Sequence, residues 1–353
     1  MTSNIIHLQK HFFAEKERVL SESDGLITSV FTYETGVHAI RVSNSLGYII
    51  ILPYQGQQIW HCRFDDRDLH MKSIFDIPEP TTVYMKNYGG FFLHCGITDL
   101  GVPGPTDTFP LHGELPNAPY QKAYVAHGQD EKGQYVMVSG EYTHKMAFNH
   151  HYRATPSVKI YQDSSLLDVS IEIANLFHIT MDVKYLAHIN FRPVDHAKLV
   201  YTAPYDPEHV AVSVDVPNHI RSNVPVDDYV AFKQKLKENP ALHHTIDPNA
   251  LYDPEVVMAI KYHSDENGIA HSLQVHPDGY AHYVAHKPGQ LDQALRWIAR
   301  NPNHDAMGLV LPCSSGGGLP TMTLEAGGNV RFDMQMGLLN PDDVQKHMHH
   351  LTR

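Results

Sequence analysis

The residues of this chain best suited to chemistry lie in Gly89-Gly90-Phe91-Phe92-Leu93-His94-Cys95-Gly96-Ile97-Thr98-Asp99-Leu100 and in Leu111-His112-Gly113-Glu114. Two imidazoles and two carboxylates (His94, His112, Asp99 and Glu114) gather there among glycines and prolines. Glycine lets a backbone approach a ligand and proline stiffens a loop. Titratable groups on such loops are where binding and proton transfer concentrate. The plain alternative is a solvated loop, in a chain with 27 histidines. A second group follows in Tyr185-Leu186-Ala187-His188-Ile189-Asn190-Phe191-Arg192-Pro193. His188, Asn190 and Arg192 share strand parity and would project from one face. Polar groups on one face are costly in an apolar core unless they meet a ligand or each other. For His188 the alternative is a histidine satisfied within the core.

The elements that must position these groups read as strands throughout. Val37-His38-Ala39-Ile40-Arg41-Val42-Ser43, Tyr48-Ile49-Ile50-Ile51-Leu52 and Gln58-Ile59-Trp60-His61-Cys62-Arg63-Phe64 are separated by Asn44-Ser45-Leu46-Gly47 and Pro53-Tyr54-Gln55-Gly56, both turn sequences. Further strands are predicted at 135–142, 151–162, 166–175, 182–191, 256–262, 270–275, 280–285, 308–311, 321–324 and 329–338. Spacing of about ten residues with turns between predicts an all-β sandwich or barrel. Helix is expected at 227–239, with Asp227 as N-cap and Pro240 as terminator, and at 291–300. No internal repeat or linker is evident, so one domain spanning 1–353 is expected, with an N-terminal extension over about residues 1–30.

Composition narrows the partners. The chain has 353 residues, 27 basic against 39 acidic, and a net charge of -12. That balance disfavours nucleic acid or an anionic membrane surface. Cys62, Cys95 and Cys313 are odd in number and widely spaced, which fits neither a disulfide framework nor a zinc ribbon. No apolar run of about eighteen residues occurs, and the start Met1-Thr2-Ser3-Asn4-Ile5-Ile6-His7 lacks a secretory pattern. A cytoplasmic location is the expectation.

At 36–69, with Leu52-Pro53-Tyr54-Gln55-Gly56 at a turn, the chain resembles the galactose mutarotase-like (aldose 1-epimerase) group. The resemblance is closest to a poorly characterised branch of aldose 1-epimerase family proteins and runs over roughly residues 36–340. Gly89-Gly90-Phe91-Phe92-Leu93-His94-Cys95-Gly96 and Pro110-Leu111-His112-Gly113 are similar to that branch's paired loop motifs, with His94 where a threonine is more usual. His188-Ile189-Asn190-Phe191 is similar to its strand ending in an active-site histidine. Trp297 and Gly308-Leu309-Val310-Leu311-Pro312 match its closing stretch in layout. The resemblance implies a galactose mutarotase-like β-supersandwich with few short helices, holding a sugar in a concave polar face. It implies a carboxylate base on the anomeric hydroxyl and a histidine acid on the ring oxygen, and mutarotation of that kind requires no cofactor. On the resemblance His188 is the acid and His112 its partner at the ring oxygen; Glu114, which the family pattern does not supply, is the candidate carboxylate beside them. His94, Asp99, Asn190, Arg192 and Trp297 are the expected sugar contacts. The expected partner is a small sugar, with a homodimer as the assembly to look for.

Two departures from the family pattern open other readings. The late glutamate of the family is replaced by Leu311, which cannot accept a proton, and the nearby Glu325 sits in a turn-like segment. The residue after His112-Gly113 is Glu114 where the branch more often has arginine. His112-x-Glu114 presents an imidazole and a carboxylate two residues apart, and His94 and His188 could complete a shell for a divalent metal. Such a metal would act as a Lewis acid in lyase, hydratase or isomerase chemistry on an oxidised sugar. A pocket without its base also fits a carbohydrate-binding or sensing protein, using Asn190, Arg192, Asp99 and an aromatic platform from Trp60, Phe91 or Trp297. The pairs His150-His151 and His243-His244 point apart if they lie on strands. His347-Met348-His349-His350 reads as a frayed end, and Pro312-Cys313-Ser314-Ser315-Gly316-Gly317-Gly318 as a flexible rim.

Overall fold

The structure, a computed structural model, describes residues 4–315 and 321–351. Two large antiparallel sheets face each other. One runs in the order Asn4–His7, Lys122–Asp130, Gly133–Met146, His150–Tyr161, Leu166–Asn175, Asn329–Leu339, Ala281–His286, Ala270–Val275 and Lys198–Tyr201. The other runs Val210–Val212, Val256–Ile260, Gln293–Arg300, Asp305–Cys313, Leu186–Ile189, Phe92–Cys95, Ile59–Phe64, Gly47–Ile51, His38–Ser43, Leu26–Thr32 and Arg18–Ser23, with Arg67–Asp68 paired to Ile59–Phe64. The core fills the space between them. In Leu166–Asn175 the alternate residues Leu167, Val169, Ile171 and Ile173 are buried, each worth about 1.5–3 kcal/mol of apolar transfer.

Strands at Leu166–Asn175 and Ala270–Val275 fall where the alternation predicts, and most others agree within a few residues. The expected strand at 182–191 is instead split into Met181–Val183, which pairs with Met322–Leu324, and Leu186–Ile189 in the second sheet. Within residues 4–32, Asn4–His7 is an edge of the first sheet, Arg18–Ser23 is an edge of the second, and Leu26–Thr32 pairs between Arg18–Ser23 and His38–Ser43.

The helix expected at 227–239 is present as Val226–Glu238, but Pro225 precedes it and no side chain caps it. Asp227 and Asp228 occupy its first turn instead, where they meet the positive end of the helix dipole. The helix expected at 291–300 is a strand, Gln293–Arg300. Ala294, Arg296 and Ile298 are buried on one side, and pairing with both neighbours outweighs the helix propensity of Ala, Leu and Arg. The terminal histidine run belongs to a helix, Pro341–Leu351, rather than a frayed end. No helix among the described residues is long and apolar enough to cross a membrane.

Candidate active site

The pairing of Leu186–Ile189 with Phe92–Cys95 decides which polar groups meet. His188 stands opposite Leu93, and Ala187 opposite His94. Side chains of paired residues share a sheet face, so His188 and His94 point to opposite sides. His188 Nδ1 lies 2.8 Å from Asn190 Oδ1, and Asn190 Nδ2 donates to the Gly90 carbonyl at 2.9 Å. Because the amide nitrogen is committed to a carbonyl, its oxygen must accept. His188 therefore carries its proton on Nδ1 and leaves Nε2 as a lone pair. The Tyr88 hydroxyl lies 3.5 Å from that lone pair.

His112 comes from the loop after Phe92–Cys95. Its backbone is in the left-handed region, at φ 59°, sparsely occupied outside glycine. The carbonyl of His112 accepts from Gly96 N–H, and its own N–H donates to Gly101. Gly96, at φ 102°, is required here: a Cβ would lie 1.8 Å from the Lys184 carbonyl. This packing brings the His112 ring to 5.7 Å from that of His188. Tyr84 lies 4.9 Å from His112, and Trp297 lies 5.4 Å from His188.

These rings line a cleft of about 130 Å³ together with Glu255, Asn301, His219 and His304. Glu255 precedes the strand Val256–Ile260, in which Val257 stands opposite Trp297. Two residues back on the same parity, Glu255 accepts the Trp297 indole N–H on Oε2 at 2.7 Å. Among the described residues, no lysine or arginine lines the cleft. Burial, with the nearby His112, pushes His188 down to about 3. Burial and then His219 push His112 down to about 4. Both imidazoles are thus neutral near pH 7. The arrangement offers a carboxylate, a fixed imidazole acceptor and aromatic faces around one small opening.

Of the residues expected from sequence, His112, His188 and Trp297 meet in the cleft, and Asn190 serves it by orienting His188. Four do not. His94 is fully buried against Phe92 and Tyr185, with Nδ1 2.8 Å from the Tyr185 hydroxyl, and burial lowers it to about 3. Glu114 does not line the cleft. Its carboxylate accepts from the backbone N–H groups of Ile97 and Thr98, the Thr98 hydroxyl and the Tyr152 hydroxyl. Asp99 is paired with Lys184 at 2.7 Å, and Arg192 is turned to the strand margin with Asp305 at 4.0 Å. The four-ligand shell of His94, His112, Glu114 and His188 is therefore not assembled, since His94 and Glu114 face elsewhere.

Leu311 is buried opposite Leu295, and Glu325 accepts from the Thr180 hydroxyl at the surface. Phe91 is a core residue against Phe191, and Trp60 is buried in a satellite cluster with Val37, Ile50 and Leu52. Cys313 and Ser314 are buried, with Ser314 bonded to Val183 and Tyr185, so the expected rim is closed there. The remainder of that rim, 316–318, lies outside the described residues. Sequence reasoning missed Glu255, Tyr84 and Tyr88. The signal for Glu255 was its place just ahead of a predicted strand, on the parity of Val257.

Residues 34–196 match the model of a domain of unknown function, DUF4432. No curated protein matches the chain. Among solved structures it is similar to a candidate aldose 1-epimerase of Klebsiella pneumoniae, at 14% identity and TM-score 0.79 over 100% of this chain and 96% of the other. It is also similar to a galactose mutarotase-like protein of Clostridium acetobutylicum, at 13% identity and TM-score 0.58 over 90% and 100% of the two chains. A galactose 1-epimerase of Lactobacillus acidophilus matches at 10% identity and TM-score 0.54, over 96% and 98%. With two facing antiparallel sheets and these structural likenesses, the chain has the galactose mutarotase-like fold.

Proposed function

We propose that the chain is an aldose 1-epimerase-type enzyme acting on a neutral, unphosphorylated sugar, with Glu255, His112 and His188 as its working groups. The observation that carries this reading is one cleft lined by a carboxylate, the neutral imidazoles of His112 and His188 and an indole, with no lysine or arginine among the described residues to meet a phosphate or a sugar acid. A pyranose would lay its C–H face on Trp297 or Tyr88 and turn its hydroxyls toward the imidazoles.

In this reading Glu255 takes the proton of the anomeric hydroxyl as the C1–O5 bond opens. The anomeric and ring oxygens are bonded to the same carbon, so the carboxyl group can return that proton to the ring oxygen. The open aldehyde rotates about C1–C2, and closure by the reverse transfer gives the other anomer with no net change in protons. His112 lends hydrogen-bonding support at these oxygens. His188, kept as an acceptor by Asn190, holds a neighbouring hydroxyl. The assignment of His188 thus shifts from proton donor to acceptor, and the base moves from Glu114 to Glu255.

NMR exchange between α and β anomers over a panel of neutral aldoses tests the proposal. Glu255→Gln is expected to lower the catalysed rate by about a hundredfold or more, the usual scale for a lost general base. A near wild-type rate in that variant would remove Glu255 from the mechanism. Tight sugar binding by the wild-type protein with no accelerated exchange would favour the sensing alternative.

A further inference from the structure

We infer that the hairpin joining Ile59–Phe64 to Arg67–Asp68 carries a zinc-type divalent metal site, with His61, Asp68 and His70 as its ligands. One donor atom from each lies within 4.8 Å of those of the other two, and no other triad among the described residues does so. None of the three lines the cleft.

The hairpin register explains the convergence. Arg63 pairs with Asp68, and Leu69 N–H donates to the Cys62 carbonyl at 2.9 Å. The next facing pair is therefore His61 with His70, whose ring centroids are 3.9 Å apart. Asp68 and His70 are two residues apart on one strand line and share that face. Nδ1 of His61 is enclosed without a hydrogen-bond partner, and Nδ1 of His70 is enclosed with none of ordinary geometry; the Cys62 carbonyl acts on the His70 ring as a weak acceptor. Enclosed polar atoms without partners are destabilising, and a cation bound by the two rings would relieve that.

The surrounding charges leave room for such an ion. Arg63 donates to Asp68 Oδ1 at 2.9 Å, so Oδ2 stays open. Arg41 and Arg192 also face the pair; Arg41 lies 3.4 Å from Glu17, and Arg192 lies 4.0 Å from Asp305, a carboxylate it shares with Arg300. The Asp68 side chain is 44% exposed, which gives an ion a way in and a water a place to complete the shell. Two imidazoles and one carboxylate suit zinc and its first-row neighbours, whereas magnesium and calcium seek oxygen.

The test is calorimetric titration of full-length, EDTA-stripped protein with zinc chloride, above the ordinary imidazole titration range, with magnesium chloride as control. One zinc per chain is expected, with little response to magnesium and with shifts in the ¹⁵N resonances of the His61 and His70 rings. His61→Gln and His70→Gln should each weaken binding roughly tenfold or more, the scale on which disturbed metal sites lose affinity. Exchanging the chain-end histidines 347, 349 and 350 for glutamine should leave affinity unchanged. If either ring variant fails to fold, Asp68→Asn at the exposed position and the wild-type ring shifts decide instead. Zinc bound equally well by both ring variants, zinc lost with the chain-end histidines, or no binding at all would overturn the site.

Discussion

A single hydrogen bond decides what His188 can do. With Nδ1–H given to Asn190, Nε2 can only accept in the neutral ring. Lowering of His188 to about 3 and of His112 to about 4 means that the neutral forms persist down to those values. Neither ring gains or loses a proton between about pH 6 and 8. The catalysed anomer exchange, corrected for buffer, should therefore show no fall centred near 6.5. A rate that dropped as pH rose through that value would mean that an imidazolium delivers the proton. Asn190→Ala should free the ring to take the other tautomer and cost roughly tenfold in rate, the scale of one lost hydrogen bond to the substrate. A change in the His188 ¹⁵N shifts would separate a tautomer switch from simple loss of packing.

At the scale of elements, the loop from Gly96 to Glu114 places His112, and Glu114 ties that loop together. Its two oxygens take four donors: two backbone N–H groups, the Thr98 hydroxyl and the Tyr152 hydroxyl. Glu114→Gln keeps only one accepting oxygen. It should cost about 1–3 kcal/mol, read as a Tm lower by a few degrees, while turnover at saturating sugar stays within about threefold. An unchanged Tm with a large loss of rate would return Glu114 to the chemistry. The strands were legible because Leu166–Asn175 and its like bury every second residue, a period that survives without tertiary information. The cleft was legible only in part. His112, His188 and Asn190 could be found from loop composition and strand parity, but which face His94 takes depends on cross-strand register. Glu255 could not be paired with Trp297 until two strands distant in sequence were set side by side. Gln293–Arg300 was misread because its helix-forming residues are overruled by neighbours on both edges.

Across the whole molecule, charge is buried by converting it to neutral rings or wrapping it in dipoles. Arg296 is fully buried with no paired carboxylate among the described residues; it donates to the Leu309 carbonyl, His243 Nε2 and the Tyr262 hydroxyl, and stacks 4.2 Å over Tyr201. His243 can accept that bond only while neutral, because its Nδ1 already donates to the Pro240 carbonyl. Burial holds His94, His188 and His286 at about 3, and His112 and His276 at about 4. In the unfolded chain these rings take up protons below 6.5, while the folded protein keeps them neutral until much lower pH. Stability is therefore full above 6.5 and drains as pH falls toward 4, because the unfolded state binds the protons. Each ring withdraws about 1.4 kcal/mol per pH unit, so five of them remove on the order of 7 kcal/mol by about pH 5.5, a large part of an ordinary folding free energy. Urea unfolding followed at pH 8.5, 7.5 and 5.5 should show a midpoint nearly constant between the first two and sharply lower at the third. A midpoint unchanged down to pH 5.5 would mean that protons reach these rings in the folded state, and that the sandwich is not closed around them.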